Sequence, residues 1–82
     1  MITNVQCRMA RAALGWSIRD LASQADVSPN TISNFENGGT ISRGTKLVLK
    51  ETFERFGVRF DGNVCVCAPN GEVVEQGDDS ND

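Results

Sequence analysis

The 82-residue chain has no histidine and no tyrosine, only two prolines, three cysteines and a single tryptophan. Without histidine it lacks the commonest general base, and most metal sites not built wholly from thiolates are closed to it. No carboxylate pair is placed to line a pocket, and no glycine-rich phosphate loop is present, so the sequence points away from an enzyme. No apolar run nears the ~20 residues of a membrane span, so no membrane role is expected. The opening Met1-Ile2-Thr3-Asn4 lacks the charged-then-apolar layout of a secretory leader, which predicts a cytoplasmic protein. Cys7, Cys65 and Cys67 are too few and too oddly spaced for a disulfide framework. The C-x-C pair leaves tetrahedral zinc short of a fourth ligand, so the expectation is reduced, strand-packed thiols with no metal and no cofactor.

A chain this short buries only about 60% of its unfolded surface and makes one small domain. Its net charge of −3 conceals a division. Residues 1–60 hold all eight basic side chains against five acids, a balance of +3, whereas residues 61–82 hold six acids and no base. A mildly basic body with an acidic tail fits a nucleic-acid binder, and it fits a solvated domain too. Charge alone chooses neither. The 76–82 stretch has no apolar residue and is predicted to be disordered.

Helix starts are written in one syntax. Thr3 and Gln6 make a capping box flanked by Ile2 and Cys7, and Ser17 and Asp20 repeat it between Trp16 and Leu21. Ser28 caps a third helix, with Pro29 at the first helical position and Val27 facing Ile32. Gly15 ends the first helix and Asn37-Gly38-Gly39 the third. The spacing predicts helices over Asn4–Leu14, Ile18–Ala25 and Pro29–Asn37, and a fourth from near Arg43 to Phe56 closed by Gly57. Leu49, Phe53 and Phe56 form the stripe of that last helix. With Met9, Ala13, Leu21, Val27, Ile32 and Phe35 they should build one core. Beyond Gly57 the period shortens, and Val64–Cys67 and Glu72–Glu75 flank the turn Ala68-Pro69-Asn70-Gly71. These runs read as a β-hairpin that must pack on the helices or on a second subunit.

The informative segment is Ser17–Asn37, two short helices meeting at Ala25-Asp26-Val27-Ser28. Ala22 is small where they approach. The outer face of the third helix carries Asn30, Thr31, Ser33, Asn34 and Asn37, short hydrogen-bonding groups without an acid. Such a helix fits the major groove of B-DNA, where base edges display donors and acceptors. The bland alternative is a neutral polar surface, yet asparagine and serine are mediocre helix formers, and taking several on one face sacrifices stability.

From about Cys7 to Phe60 the chain resembles the Cro/phage-repressor (XRE-like) helix-turn-helix regulators. The matching elements are Leu14-Gly15-Trp16-Ser17, Leu21-Ala22, Ala25-Asp26-Val27-Ser28 and Thr31-Ile32-Ser33-Asn34-Phe35-Glu36-Asn37-Gly38. The resemblance implies a mainly α, four-helix Cro/repressor-like domain over 1–60. A short β-hairpin over 61–75, for packing or dimerisation, and an acidic tail over 76–82 would follow it. It implies operator binding as a homodimer on double-stranded DNA. Pro29, Asn30, Ser33 and Asn34 would lie at base edges. Ser17, Ile18, Arg19, Thr31, Asn37, Arg43 and Lys46 would lie at phosphates. Arg11 and Glu36 would pair between the first and third helices, with Ser28 in support as a cap, and breaking such a pair costs ~3 kcal/mol. Asp26 stands where the family's turn usually has glycine, and aspartate tolerates positive φ better than most residues. The reading helix lacks Arg, Lys and Gln; asparagine pairs with adenine, which predicts an A·T-containing half-site. The surface expected to hold the dimer is the hairpin together with Phe53–Phe60. The alternative function is a protein-binding module on the same scaffold, an anti-activator or antitoxin that engages a partner through the acidic C-terminal segment.

Overall fold

The computed structural model describes residues 2–61, 65–67 and 73–75. Four helices come first: α1 (Asn4–Leu14), α2 (Ile18–Ala25), α3 (Pro29–Glu36) and α4 (Arg43–Arg55). Strands β1 (Arg59–Asp61), β2 (Cys65–Cys67) and β3 (Val73–Glu75) follow. The mainly α class read from the sequence holds.

Each helix begins on a hydroxyl. Thr3 accepts from the Gln6 N–H at 3.1 Å, while Gln6 Oε1 accepts from the Thr3 N–H at 3.1 Å. Ser17 and Asp20 repeat the exchange at 3.0 and 2.9 Å. Ser28 Oγ accepts from the Asn30 N–H at 3.2 Å, and Ser42, whose role the sequence reading left unassigned, accepts from the Thr45 N–H at 3.1 Å. Such caps satisfy backbone donors that a helix leaves orphaned, and each is worth about 1 kcal/mol. Asn37 and Phe56 prove to be C-caps just outside α3 and α4. The turn between α2 and α3 puts Asp26 at φ 57°, ψ 46°, the left-handed conformation its position required.

The core gathers Cys7, Met9, Ala10, Leu21, Ala22, Ala25, Ile32, Phe35, Leu49, Phe53 and Val58, joined by Ile2 from ahead of α1. Trp16 and Val27 are partly buried against it. The Trp16 ring stacks on Phe53 at 5.9 Å and meets Phe56 edge-on at 4.9 Å. Two expectations are corrected here. Phe56 is 41% exposed: it lies beyond the last turn of α4 and meets the Trp16 ring in an edge contact. Phe53 and Val58, assigned to a dimer surface, are buried within their own chain, whereas Glu54, Arg55, Phe56, Gly57 and Arg59 of the same stretch are exposed.

The sheet has three strands in the order β1-β2-β3, both pairings antiparallel. The β2–β3 hairpin has the partners Cys65↔Glu75, Val66↔Val74 and Cys67↔Val73. The addition is β1, which pairs Phe60 with Val66 and ties the hairpin to the end of α4. Two isolated strands are marginal in water, and a third supplies another ladder of hydrogen bonds. Strands β2 and β3 lie against α1. The 68–71 turn, the 76–82 tail and the packing of the Cys65 and Cys67 side chains fall outside the described residues. Among the described residues, no helix is long and apolar enough to cross a membrane.

Candidate nucleic-acid interface

Helix α3 is held from behind by one carboxylate. Glu36 is 3% exposed, a costly place for a charge unless it is paired and hydrogen-bonded. Arg11 of α1 supplies both: its Nε donates to Oε2 at 2.7 Å and its Nη2 to Oε1 at 2.7 Å. The same guanidinium donates through Nη1 to the Trp16 carbonyl at 3.0 Å, reaching the loop that leads into α2. The bond to Glu36 raises the Arg11 pKa above its ordinary value despite partial burial. Two further groups of α1 complete the cluster. Arg8 Nη1 donates to the Glu36 carbonyl at 3.2 Å, and the Cys7 thiol donates to Glu36 Oε2 at 3.2 Å. Burial first, and the Glu36 carboxylate second, hold that thiol protonated well above its usual range.

The Arg8 and Cys7 contacts were not legible from spacing. Nothing in the local sequence marks Cys7 as a donor across 29 residues.

On the outward side, Pro29, Asn30, Asn34 and Asn37 are exposed, and Thr31 and Ser33 are half-buried. Asn37 Nδ2 donates to Ser33 Oγ at 3.4 Å, which leaves the Ser33 hydroxyl proton free for an outside acceptor. At the N-terminus of α3, Pro29 has no N–H and Asn30 gives its own to Ser28. Thr31, half-buried in the first turn of α3, carries the next backbone N–H of that turn beside a side-chain hydroxyl.

The start of α2 is more constrained than the sequence suggests. The Ser17 N–H is taken by Asp20 Oδ2 and the Asp20 N–H by Ser17 Oγ. The Ile18 and Arg19 N–H groups remain for an anion, beside a carboxylate. Arg43 is exposed and Lys46 half-buried in the first turn of α4. Among the described residues the ion pairs are Arg11–Glu36 and Lys50–Glu54, so Arg19, Arg43 and Lys46 have no carboxylate partner there. Lys50 is neutralised by Glu54, and Arg55 reaches the Gln24 carbonyl at 3.4 Å.

The surface thus combines neutral polar side chains along α3 with unneutralised cations at α2 and α4. It is suited to hydrogen-bonding base edges while holding phosphates. A family model described as helix-turn-helix matches residues 8–49, just over half of the chain, from within α1 to the middle of α4. No curated protein sequence is significantly similar to the chain.

Proposed function

Because the chain belongs to the XRE-type helix-turn-helix family of DNA-binding regulators, we propose that it lays α3 in the major groove of an operator. One observation carries the reading. Between Val27 and Lys50 the sequence has a single acid, Glu36, and it is turned inward and bound by Arg11. The outward face therefore offers donors and acceptors to base edges with no charge to repel the duplex.

In this reading Pro29, Asn30, Ser33 and Asn34 meet bases. Ser17, Ile18 and Arg19 at the start of α2 meet phosphates, as do Thr31, Asn37, Arg43 and Lys46. Asn30 and Asn34 favour adenine through its N6 and N7 groups, so the half-site contains A·T pairs. Arg11, Glu36 and Ser28 set the tilt of the reading helix.

The described part of the chain measures 28 × 26 × 21 Å. Successive major-groove faces on one side of a duplex lie ~34 Å apart. A single copy does not bridge them, so a homodimer on a (pseudo)palindrome is the assembly this reading requires. Leu47, Val48 and Phe56 are the large apolar side chains of α4 and its cap left exposed for it.

Fluorescence anisotropy of labelled duplexes across a salt series tests the proposal. Specific binding should weaken with a log–log slope of about −0.9 for each phosphate neutralised. Absence of binding at low salt, with a stoichiometric protein partner recovered instead, would favour the protein-binding alternative.

A further inference from the structure

The end of α3 holds a close approach that has nothing to do with the core. Asn37 caps the helix and Gly38 follows at φ 97°. The Gly38 N–H donates to the Phe35 carbonyl at 3.1 Å and the Gly39 N–H to the Asn34 carbonyl at 2.8 Å. These two bonds are the pairing of a Schellman motif, which brings the second residue past the cap against the third from the end. That contact is commonly apolar on both sides. Here one side is Gly39 and the other is the Asn34 carboxamide. A Cβ built on Gly39 would overlap Oδ1, Cγ and Nδ2 of Asn34 together. Gly38 is required by its backbone angle, but Gly39 is not in the left-handed region. A side chain at residue 39 would have to displace the Asn34 carboxamide from the space it occupies.

We propose that Gly39 is a specificity-positioning residue, whose missing side chain seats the Asn34 carboxamide in one orientation before DNA arrives. The proposal rests on the reading of Asn34 as a base contact. Bidentate pairing with adenine needs the oxygen and nitrogen of the carboxamide presented together. The terminal torsion of asparagine is otherwise broad, and fixing it during binding costs affinity. Asn34 remains an exposed residue while seated, so less ordering is left for the encounter.

Gly39→Ala tests this, since its backbone accepts alanine and the change acts through Asn34. In nitrogen-edited spectra of the free protein, the Asn34 side-chain amide pair, identified by its loss in Asn34→Ala, should shift. In a base-substitution binding series, discrimination should fall about five- to tenfold at the base pair that Asn34→Ala also affects, with other positions unchanged. The double variant should discriminate no worse than Asn34→Ala alone. Amide resonances that stay in place overturn the seating. Shifted resonances with discrimination intact, or an equal loss on all sequences, overturn the positioning role and leave Asn34 as a reader. If Asn34→Ala alone leaves every base preference intact, the reading of Asn34 fails and the role of Gly39 with it. Should Gly39→Ala fold poorly, rescue by adding Asn34→Ala supports the seating, and no rescue overturns it.

Discussion

Asn34 and Lys46 both belong to the proposed DNA interface, yet their removal should have different signatures. Asn34→Ala should relax the preference at one base pair by about 1–3 kcal/mol. Lys46→Ala should weaken all duplexes alike and reduce the salt slope by about one. A panel of single-substitution operators titrated at two salt concentrations separates them. Cys7 gives a prediction of another kind. Its folded pKa lies above the ordinary 9.0 because burial and Glu36 disfavour the thiolate. The stability this contributes is complete below pH 9.0 and declines as pH rises beyond it, since the unfolded chain then loses a proton the folded one keeps. Urea titrations from pH 7 to pH 10.5 should show the decline, and Cys7→Ala should flatten that limb whatever it does to the absolute level. The pairing of Arg11 with Glu36 was implied by family resemblance. The thiol and Arg8 that join them were not, because such contacts depend on how α1 crosses α3 and leave no mark at short range.

At the scale of elements, the helices were legible because their signals are local. A hydroxyl, a partner three residues on and a closing glycine or asparagine fix a helix from within a few residues, and α1 and α2 have the expected ends. Strand β1 was harder. Its three residues gain their identity from pairing with β2, and Val58-Arg59-Phe60 alone reads as a short alternation after a helix. Phe53 was placed on the stripe correctly, but which side of α4 would be covered depends on Trp16, remote in sequence, and on Phe60 past the helix end. Two turns make opposite predictions. Asp26 sits at φ 57° and Gly15 at φ 70°. Asp26→Gly should relieve a left-handed aspartate and raise stability by about 0.5–1 kcal/mol. Gly15→Ala should lower it by about 1 kcal/mol, although nothing crowds its Cβ position. Thermal melts of both variants beside the parent check the pair of signs.

For the whole molecule, size and charge set the terms of assembly. A reader about 28 Å across gains from a second half-site only if both lie on the same face of the duplex. Inserting ~5 base pairs, half a helical turn, between half-sites should remove cooperative binding, and inserting ~10 should restore most of it where the dimer is able to reach. Band shifts on the three spacings provide the check. The Arg11 guanidinium grips the back of α3 and the carbonyl that leads into α2 at once. The position of α3 relative to the start of α2 is thereby tied through a single planar group. Under the proposed reading of α3, a clamp of this kind shifts the adjustment to misfit onto the nucleic acid. Among sites with the same contacted bases, those with pliant pyrimidine–purine steps at their centres should then be favoured, and sequence will count at positions no side chain touches.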